Sequence, residues 1–374
     1  MIQKKVGIIT IYNFTNYGNR LQNYALTKLL ENEGIPVING ICVSTKDDWL
    51  GRTKSIWKRA VKRVIPYAFV KKKLYFPKQV TTGLEAQRVE RFLKFTENYT
   101  TSIPPIVAKT HKEAYLRLRK LGIGCVIAGS DQIWNPYYEG KEFEFLTFAP
   151  SAARLSFAAS IGVDHIPEEV KWYYAKNLKE MKYLSVREQR AVEIIKELTG
   201  RDADLTLDPT LLLEPEKWQE AVKKPNIQLD SDYICAYFLG EVPDAVDRFA
   251  KEKGLRIYPL NDKGEPELFV LDPGEFLYMI KNAAYILTDS FHAVAFSIKF
   301  HKEFYVFDRK QKGLESMFSR IETITQRFGL ENRIQNRDAI VEQPPVMNWE
   351  AIDQELLREK KLSMGRLTNA METE

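Results

Sequence analysis

The sequence predicts an α/β protein of two Rossmann-like domains facing a cleft, and three observations predict it. Apolar, β-branched runs of strand length alternate with segments of helical spacing along most of the chain. The 374 residues exceed one compact domain of ordinary size, so two are expected. A stretch rich in Gly, Pro and charge, TGRDADLTLDPTLLLEPEKW (199–218), splits the alternation into two sets. The expected division is an N-terminal domain, 1–204, carrying a basic insertion at 52–115, and a C-terminal domain, 205–374. The last ~30 residues read as helical and charged, placed to pack back on the N-terminal domain.

The elements follow in order. KVGIITIY (5–12) is apolar and long enough for a buried strand, and NFTNYGN (13–19) is a polar loop containing Gly18. Leu21, Ala25 and Leu29, with Leu26 and Leu30, then repeat at helical spacing up to Gly34, a C-terminal cap. IPVINGICV (35–43) is the next strand, so the unit is βαβ and the sheet parallel. Helices are expected near 53–64 and 85–99 within an irregular region. GIGCVIAG (122–129) and RLSFAASIG (154–162) are strands, 167–181 is helix, YLSVRE (183–188) is a short strand, and helix runs on to 199. In the second set, YICAYFLG (233–240), RIYPL (256–260), AYILTDS (284–290) and EFYVF (303–307) are strands. Helices fall at 242–254, 272–283 and 291–300. Such sheets bind ligands beyond the C-terminal ends of their strands, which points to loops 13–19, 129–136, 187–188 and 289–292.

Composition excludes several classes. Hydrophobic residues at 44% and charged residues at 28% are globular rather than disordered proportions. Cys42, Cys125 and Cys235 each sit in a strand-like run, far apart and without a CxxC pair. They read as buried, reduced thiols, with no disulfide frame and no metal site expected. Met1 to Lys5 runs straight into a strand rather than a signal peptide, and no apolar run approaches the ~20 residues of a membrane-crossing helix. A cytoplasmic location is expected. The net charge of +5 is local: ten basic residues and no acid lie between Arg52 and Lys78, leaving 45 basic against 50 acidic residues elsewhere. A global charge argument for nucleic acid therefore fails, and no nucleic-acid partner is expected.

Four loops offer chemistry. In NYGN, Gly18 permits a backbone shape that a side chain resists, and Asn19 can cap the helix behind it. The helix start offers N–H groups to an anion or hydroxyl, or the loop simply caps. GSDQIWNP gathers Ser130, Asp131, Gln132, Trp134 and Asn135 at a strand end. Carboxylate, amides and indole suit a sugar, though the tryptophan equally suits covering the sheet edge. In SVRE, Arg187 stands at a strand end, positioned to fork onto a carboxylate or phosphate, or to pair with Glu188 or another acid. In TDSFHAVAFS, Ser290 is a natural N-cap and His292 falls in the first helical turn, where an anion would meet the positive helix end and an imidazole.

GIITIYNFTNYGNRLQNYAL, VIAGSDQIWN, SVRE, LTLDPTLLL and ILTDSFHAVAFSIKF together resemble the polysaccharide pyruvyl transferase family, over residues 7 to 300. The resemblance implies a fold similar to the GT-B glycosyltransferases, with the active site between two domains. It implies phosphoenolpyruvate as donor substrate, no cofactor, and a sugar acceptor with two suitably spaced hydroxyls. The product is a pyruvate ketal plus phosphate. His292 and Arg187 match the family's donor-site residues. Some branches carry an arginine two places before the histidine; Ser290 stands there, with Arg320 as a candidate substitute. Ala293 replaces a glycine common after the histidine. The expected donor site is Arg187, Ser290, His292 and Arg320. The expected acceptor side is Asn16, Tyr17, Asn19, Gln22, Asp131, Gln132 and Trp134. His292, protonated by the donor's charge, is the expected acid, with Asp131 orienting or deprotonating the acceptor.

Residues 52–78 interleave Trp57, Tyr67, Phe69, Tyr75 and Phe76 with lysine and arginine. That pattern suits an anionic membrane surface bearing a lipid-linked acceptor, or a solvated basic helix. A nucleotide-sugar glycosyltransferase is the competing enzyme, but AFSIKFHK after His292 lacks the carboxylate that would bind a ribose. A non-catalytic sugar-binding relative is the third reading, suggested by Ser290.

Overall fold

Alternation of buried strands with amphipathic helices builds two parallel sheets whose strand ends meet. The computed structural model describes residues 5–11, 15–39, 43–45, 82–100, 106–108, 110–137, 144–310, 318–341 and 347–372. The basic run 52–78, the expected helix at 53–64 and Cys42 lie outside them.

In chain order, β1 (Lys5–Ile9) leads to α1 (Tyr17–Asn32) and β2 (Val37–Ile38). Then come β3 (Val43–Thr45), α2 (Gly83–Tyr99), β4 (Ile106–Ala108), α3 (His111–Lys120), β5 (Ile123–Ala128) and β6 (Arg154–Ser156). The first half ends with α4 (Glu168–Lys179), β7 (Ser185–Val186), α5 (Gln189–Thr199) and β8 (Asp204–Leu205). Two short helices, α6 (Pro209–Leu212) and α7 (Pro215–Gln219), lead to β9 (Tyr233–Tyr237), α8 (Asp244–Lys253) and β10 (Arg256–Pro259). The chain continues through α9 (Pro266–Phe269), α10 (Pro273–Asn282), β11 (Tyr285–Thr288), α11 (Phe291–Lys299) and β12 (Glu303–Phe307). It ends with α12 (Ser319–Phe328), β13 (Ile334–Gln335) and α13 (Trp349–Glu372).

The first sheet has the order β2-β1-β5-β6, and the second β10-β9-β11-β12-β13. Every pairing in both is parallel. Counted within its own half, the second sheet runs 2-1-3-4-5, a doubly wound order whose crevice opens where the direction of strand addition reverses. That switch lies between β9 and β11, and its counterpart lies between β1 and β5. The loops leaving those four strands carry Thr10, Ser130–Asp131, Leu239–Gly240 and Asp289–Ser290.

Several elements differ from expectation. The run 35–43 does not make one strand: Val37–Ile38 stays with β1, and Val43 begins a strand paired to β4. RLSFAASIG pairs as a strand only to Ser156. Beyond it, Ser156 and Ser185 exchange side-chain bonds with backbone (Oγ of Ser156 to O of Ser185, 3.1 Å; N of Ser185 to Oγ of Ser156, 2.9 Å), in place of a regular ladder. Ala158 adopts φ 51, and Ala159 bridges singly to Asp131 and Val186. Helices α3, α6, α7, α9 and α12 go beyond those that the sequence spacing predicts. α12 carries Arg320 and ends at Gly329 with φ 65, a left-handed cap.

The halves are joined by a shared apolar core containing Tyr17, Tyr24, Phe92, Tyr237, Phe276 and Phe296. Tyr17, at the start of α1, stacks on Phe276 of α10 (4.2 Å, 12°) and donates its hydroxyl to the Leu271 carbonyl (2.9 Å). Buried Arg88 of α2 lies over the Tyr17 ring and donates to the Phe269 carbonyl (2.9 Å), while Arg91 pairs with Glu275 (2.7 Å). α13 spans both halves. Arg327 of α12 pairs with Glu355 and Glu359, and Arg366 pairs with Asp204 of β8 (3.1 Å). No described helix is long and apolar enough to cross a membrane. Cys235 is buried in β9, where burial pushes its thiol up, and neither it nor Cys125 is in a disulfide.

Replacing Tyr17 by alanine deletes a ring packed across the two halves, at an expected cost of about 3 kcal/mol in urea denaturation. A loss below about 1 kcal/mol would mean that the halves do not depend on this contact.

Candidate functional site

Each half supplies one side of a polar cluster at the facing strand ends. Arg187 directly follows β7, and its guanidinium is fully buried. It donates to Asp208 Oδ2, to Ser130 Oγ (3.1 Å) and to Asp131 Oδ1 (3.4 Å). It also lies 4.6 Å from the Phe291 ring centroid. Burial alone would weaken its protonation, but Asp208 and Asp131 outweigh that and raise its pKa.

Asp208 caps α6. Its Oδ1 accepts from Thr210 N (3.0 Å) and Thr210 Oγ1 (2.7 Å), and its Oδ2 accepts from Ser130 Oγ (2.5 Å). Burial would raise this carboxyl, yet Arg187, His292 and these donors hold it at about 2. Neither carboxylate oxygen is exposed, so a satisfied, charged acid stands at the centre of the cluster.

His292 occupies the first turn of α11, at the switch point of the second sheet. Its Nε2 lies 3.8 Å from Asp208 Oδ2 and has no hydrogen-bond partner among the described residues. The ring sits edge-on to Phe291 (5.2 Å, 88°). On its other side is Gly18 of α1: a Cβ there would fall 1.9 Å from His292 Nδ1. Only glycine lets the two halves approach this closely. Burial drives the imidazole down to about 4, aided by Arg187 and Arg320 and partly offset by Asp208 and Asp131. Without a donor His292 is neutral at neutral pH, because desolvation outweighs the two acids; the expected protonation depends on the donor's own charge.

Asp131 follows β5 with φ 74, a left-handed backbone rare outside glycine. Its Oδ1 accepts from Gln132 N (2.9 Å), and its Oδ2 accepts from Asn19 Nδ2 (3.3 Å). Burial opposes its charge, but Arg187, His292 and Arg320 win and lower its pKa. A carboxylate so stabilised is a weak proton acceptor, which disfavours the expected deprotonating role and leaves the orienting one.

Arg320 is buried with its guanidinium 5.9 Å from the Phe291 centroid. With the Gln132 amide oriented to satisfy its neighbours, the Gln132 oxygen accepts from Arg320 Nη2 (2.9 Å) and Nη1 (3.2 Å). Burial, then the like charge of Arg187, lowers Arg320 to about 10. A narrow cleft runs outward from here, lined by Phe291, Arg320, Arg309, Asp289, Asp308 and Phe318.

Other expected site residues serve the scaffold. Trp134 is fully buried, stacked on Phe145 (5.6 Å, 7°) and bonded to the Glu144 carbonyl (3.2 Å), so its ring offers no face to a sugar. Tyr17 is likewise spent in the interface between the halves. Asn16 caps α1 by accepting from Asn19 N (3.0 Å). Gln22 is buried, donating to Thr10 Oγ1 (2.7 Å) and the Asn19 carbonyl (3.0 Å). Ser290 occupies the N-cap position without a side-chain cap bond, and its N–H donates to Thr288 Oγ1 (3.0 Å) rather than pointing free into the cleft.

Two acids escaped the sequence reading. Asp208 sits inside the quoted LTLDPTLLL, where D-P before an apolar run is a helix-start signal that hides a second role. Asp289 accepts from Leu239 N and Gly240 N (2.8 Å each), tying the β11 loop to the β9 loop, and pairs with Arg309 (3.4 Å). Among the described residues no group of histidine, cysteine and acid side chains has the geometry to hold a metal ion.

Two parallel sheets turning their strand ends toward a shared cluster of cations, acids and one imidazole define an α/β protein with a candidate site between the halves. The model of the polysaccharide pyruvyl transferase family matches residues 16–311, and the chain belongs to that family. It is therefore a transferase of polysaccharide synthesis. No curated protein matches the sequence significantly. Among solved structures, a UDP-bound MnaA from S. aureus is 12% identical, with a TM-score of 0.43, covering 98% of this chain and 90% of that one. The UDP-GlcNAc 2-epimerase from Neisseria meningitidis is 8% identical, with a TM-score of 0.44, covering 98% and 99%. The glycosyltransferase SsfS6 from Streptomyces sp. SF2575 is 9% identical, with a TM-score of 0.37, covering 98% and 99%. These overlaps are too loose to say anything of substrate.

The His292 environment has a pH signature. A folded-state pKa of about 4, below the usual 6.5, means the unfolded chain binds the proton first as pH falls. Stability should drop between about pH 6.5 and 4, by of order 3 kcal/mol for this group. His292→Gln should remove that portion of the slope in urea midpoints. An unchanged slope would place the imidazole in water.

Proposed function

We propose that this protein transfers the enolpyruvyl group of phosphoenolpyruvate to two hydroxyls of a sugar in a polysaccharide or its precursor, giving a pyruvate ketal and phosphate. The observation carrying this reading is that Arg187, Arg320 and His292 gather around one ring, Phe291, at the switch point of the second sheet. A small donor with a carboxylate and a phosphate needs two cations and an acid at close quarters, and these residues are of that kind. Arg320 would supply the cation that Ser290 does not.

The chemistry then runs as follows. Arg187 and Arg320 hold the donor's carboxylate and phosphate. Imidazolium His292 delivers its proton to the methylene carbon, leaving C2 electron-poor. One sugar hydroxyl adds to C2 and passes its proton to the phosphate. Phosphate departs with the C2–O bonding pair, and the second hydroxyl closes the ring and releases its proton to solvent. Asp131, with Asn19 and Gln132 beside it, orients the acceptor hydroxyl. No cofactor or metal enters this scheme. The acceptor would be reached on the cytoplasmic side, carried on a lipid, with the basic segment 52–78 meeting the anionic bilayer.

His292→Gln should lower kcat by about 10²- to 10⁴-fold, the usual worth of a positioned general acid, while saturation by phosphoenolpyruvate persists. The measurement is transfer of labelled carbon from phosphoenolpyruvate to sugar, with matching phosphate release. Transfer from a labelled nucleotide sugar instead would replace this reading with glycosyl transfer. Reversing the charges of Lys58, Arg59, Lys62 and Arg63 should abolish binding to anionic liposomes. Retained binding would remove the membrane contact.

A further inference from the structure

Among the described residues four charged side chains act on the His292 ring, while α1 brings Gly18 against it. Asp208 comes from the connection between the halves, Asp131 from the loop after β5, Arg187 from just after β7 and Arg320 from α12. Two are acids and two are cations. The acids favour an imidazolium and the cations disfavour it. Arg187 Nη1 is bound to the same Asp208 oxygen that lies 3.8 Å from His292 Nε2. The guanidinium and the imidazole therefore compete for one carboxylate oxygen, and in this arrangement the guanidinium holds it. The imidazole nitrogen, aimed at that oxygen and buried, is left without a partner.

We propose that Asp208 is a positioning residue that couples donor binding to protonation of His292. The inference rests on the donor reading above. An anion that engages Arg187 and Arg320 neutralises both cations facing the ring and leaves both acids in place. The balance of charge around His292 then reverses, and the ring takes up one proton from solvent at Nε2, toward Asp208. That proton is the one later delivered to the donor's methylene carbon, which returns the imidazole to its neutral form.

Asp208 is built to stay while Arg187 turns away. Its Oδ1 is held by Thr210 N and Thr210 Oγ1, and its Oδ2 by Ser130 Oγ. The far ends of the two helices are fastened as well. Lys299, at the end of α11, is buried and donates to the Leu211 carbonyl of α6 (2.9 Å). The helix carrying His292 and the helix capped by Asp208 are thus held in register, so a small ring rotation suffices to close the remaining gap.

The test is proton counting by isothermal titration calorimetry. Phosphoenolpyruvate is titrated near pH 7 into wild type and Asp208→Asn, in buffers of different ionisation heat. The donor's own phosphate titration is common to both proteins, so the difference between them isolates the protein's share. Wild type should take up more protons per donor bound, and the excess should be lost in the variant. Equal counts overturn the inference while leaving the donor assignment standing. No binding heat for wild type in any buffer overturns the donor assignment and the inference with it. Should the variant not fold, the ring of His292 in wild type, one of four histidines, is followed by NMR with and without phosphoenolpyruvate. Its titration midpoint should move up with donor present. An unmoved midpoint overturns the proposal.

Discussion

The buried ion pair between Arg187 and Asp208 is the constraint on which the cluster depends. A fully desolvated guanidinium and carboxylate are costly to bury, and only good geometry with further hydrogen bonds compensates. Here the compensation comes from Ser130 and Asp131, on the loop after β5, and from Thr210, in the first turn of α6. Because both segments must be in place for the pair to be tolerated, the pair fixes them relative to one another. The strained backbone of Asp131 fits this picture: its left-handed φ persists because its neighbours bridge it to Ala159 and bond its side chain.

The ion pair also separates the duties of the residues around it. Those nearest the sheets serve as frame: Glu188 Oε1 accepts from Ser160 Oγ, Ile161 N and Gly162 N, and Asp289 joins the loops after β9 and β11. Those toward Phe291 have capacity to spare, with no hydrogen bond among the described residues at Arg187 Nε, Arg320 Nε and His292 Nε2. A site that must bind an anion needs such reserves beside a rigid support. Arg309 and Asp308 line the cleft leading inward, and the pairing of Arg309 with Asp289 limits how much positive charge the entrance presents.

Much of this was legible in the sequence because strand and helix periods are local signals. The strands β1, β5, β9, β11 and β12 were found within a few residues, and the turns after β5 and β11 were identified as the site's corners. His292, Arg187, Asp131 and Arg320 do come together. What the sequence concealed is non-local. Whether Trp134 faces a ligand or Phe145 is decided by a segment ten residues further on. Whether Tyr17 lines a cleft or plugs an interface is decided by α10, more than 250 residues away. Asp208 was hidden for a different reason, since its capping role at a D-P helix start accounts for the residue locally. Strand β6 was overextended because serine hydroxyls replace the ladder, and apolar alternation does not record that.

The contact between Gly18 and His292 ties the two sheets together at atomic scale. The imidazole rests on the bare backbone of a helix belonging to the opposite sheet, so the wall of the pocket is divided between the two layers. Recombining front and rear portions of related enzymes would succeed only where this one hydrogen-for-methyl fit is preserved. A side chain at the opening turn of the first helix and the imidazole therefore compete for the same space, though 273 positions of chain lie between them.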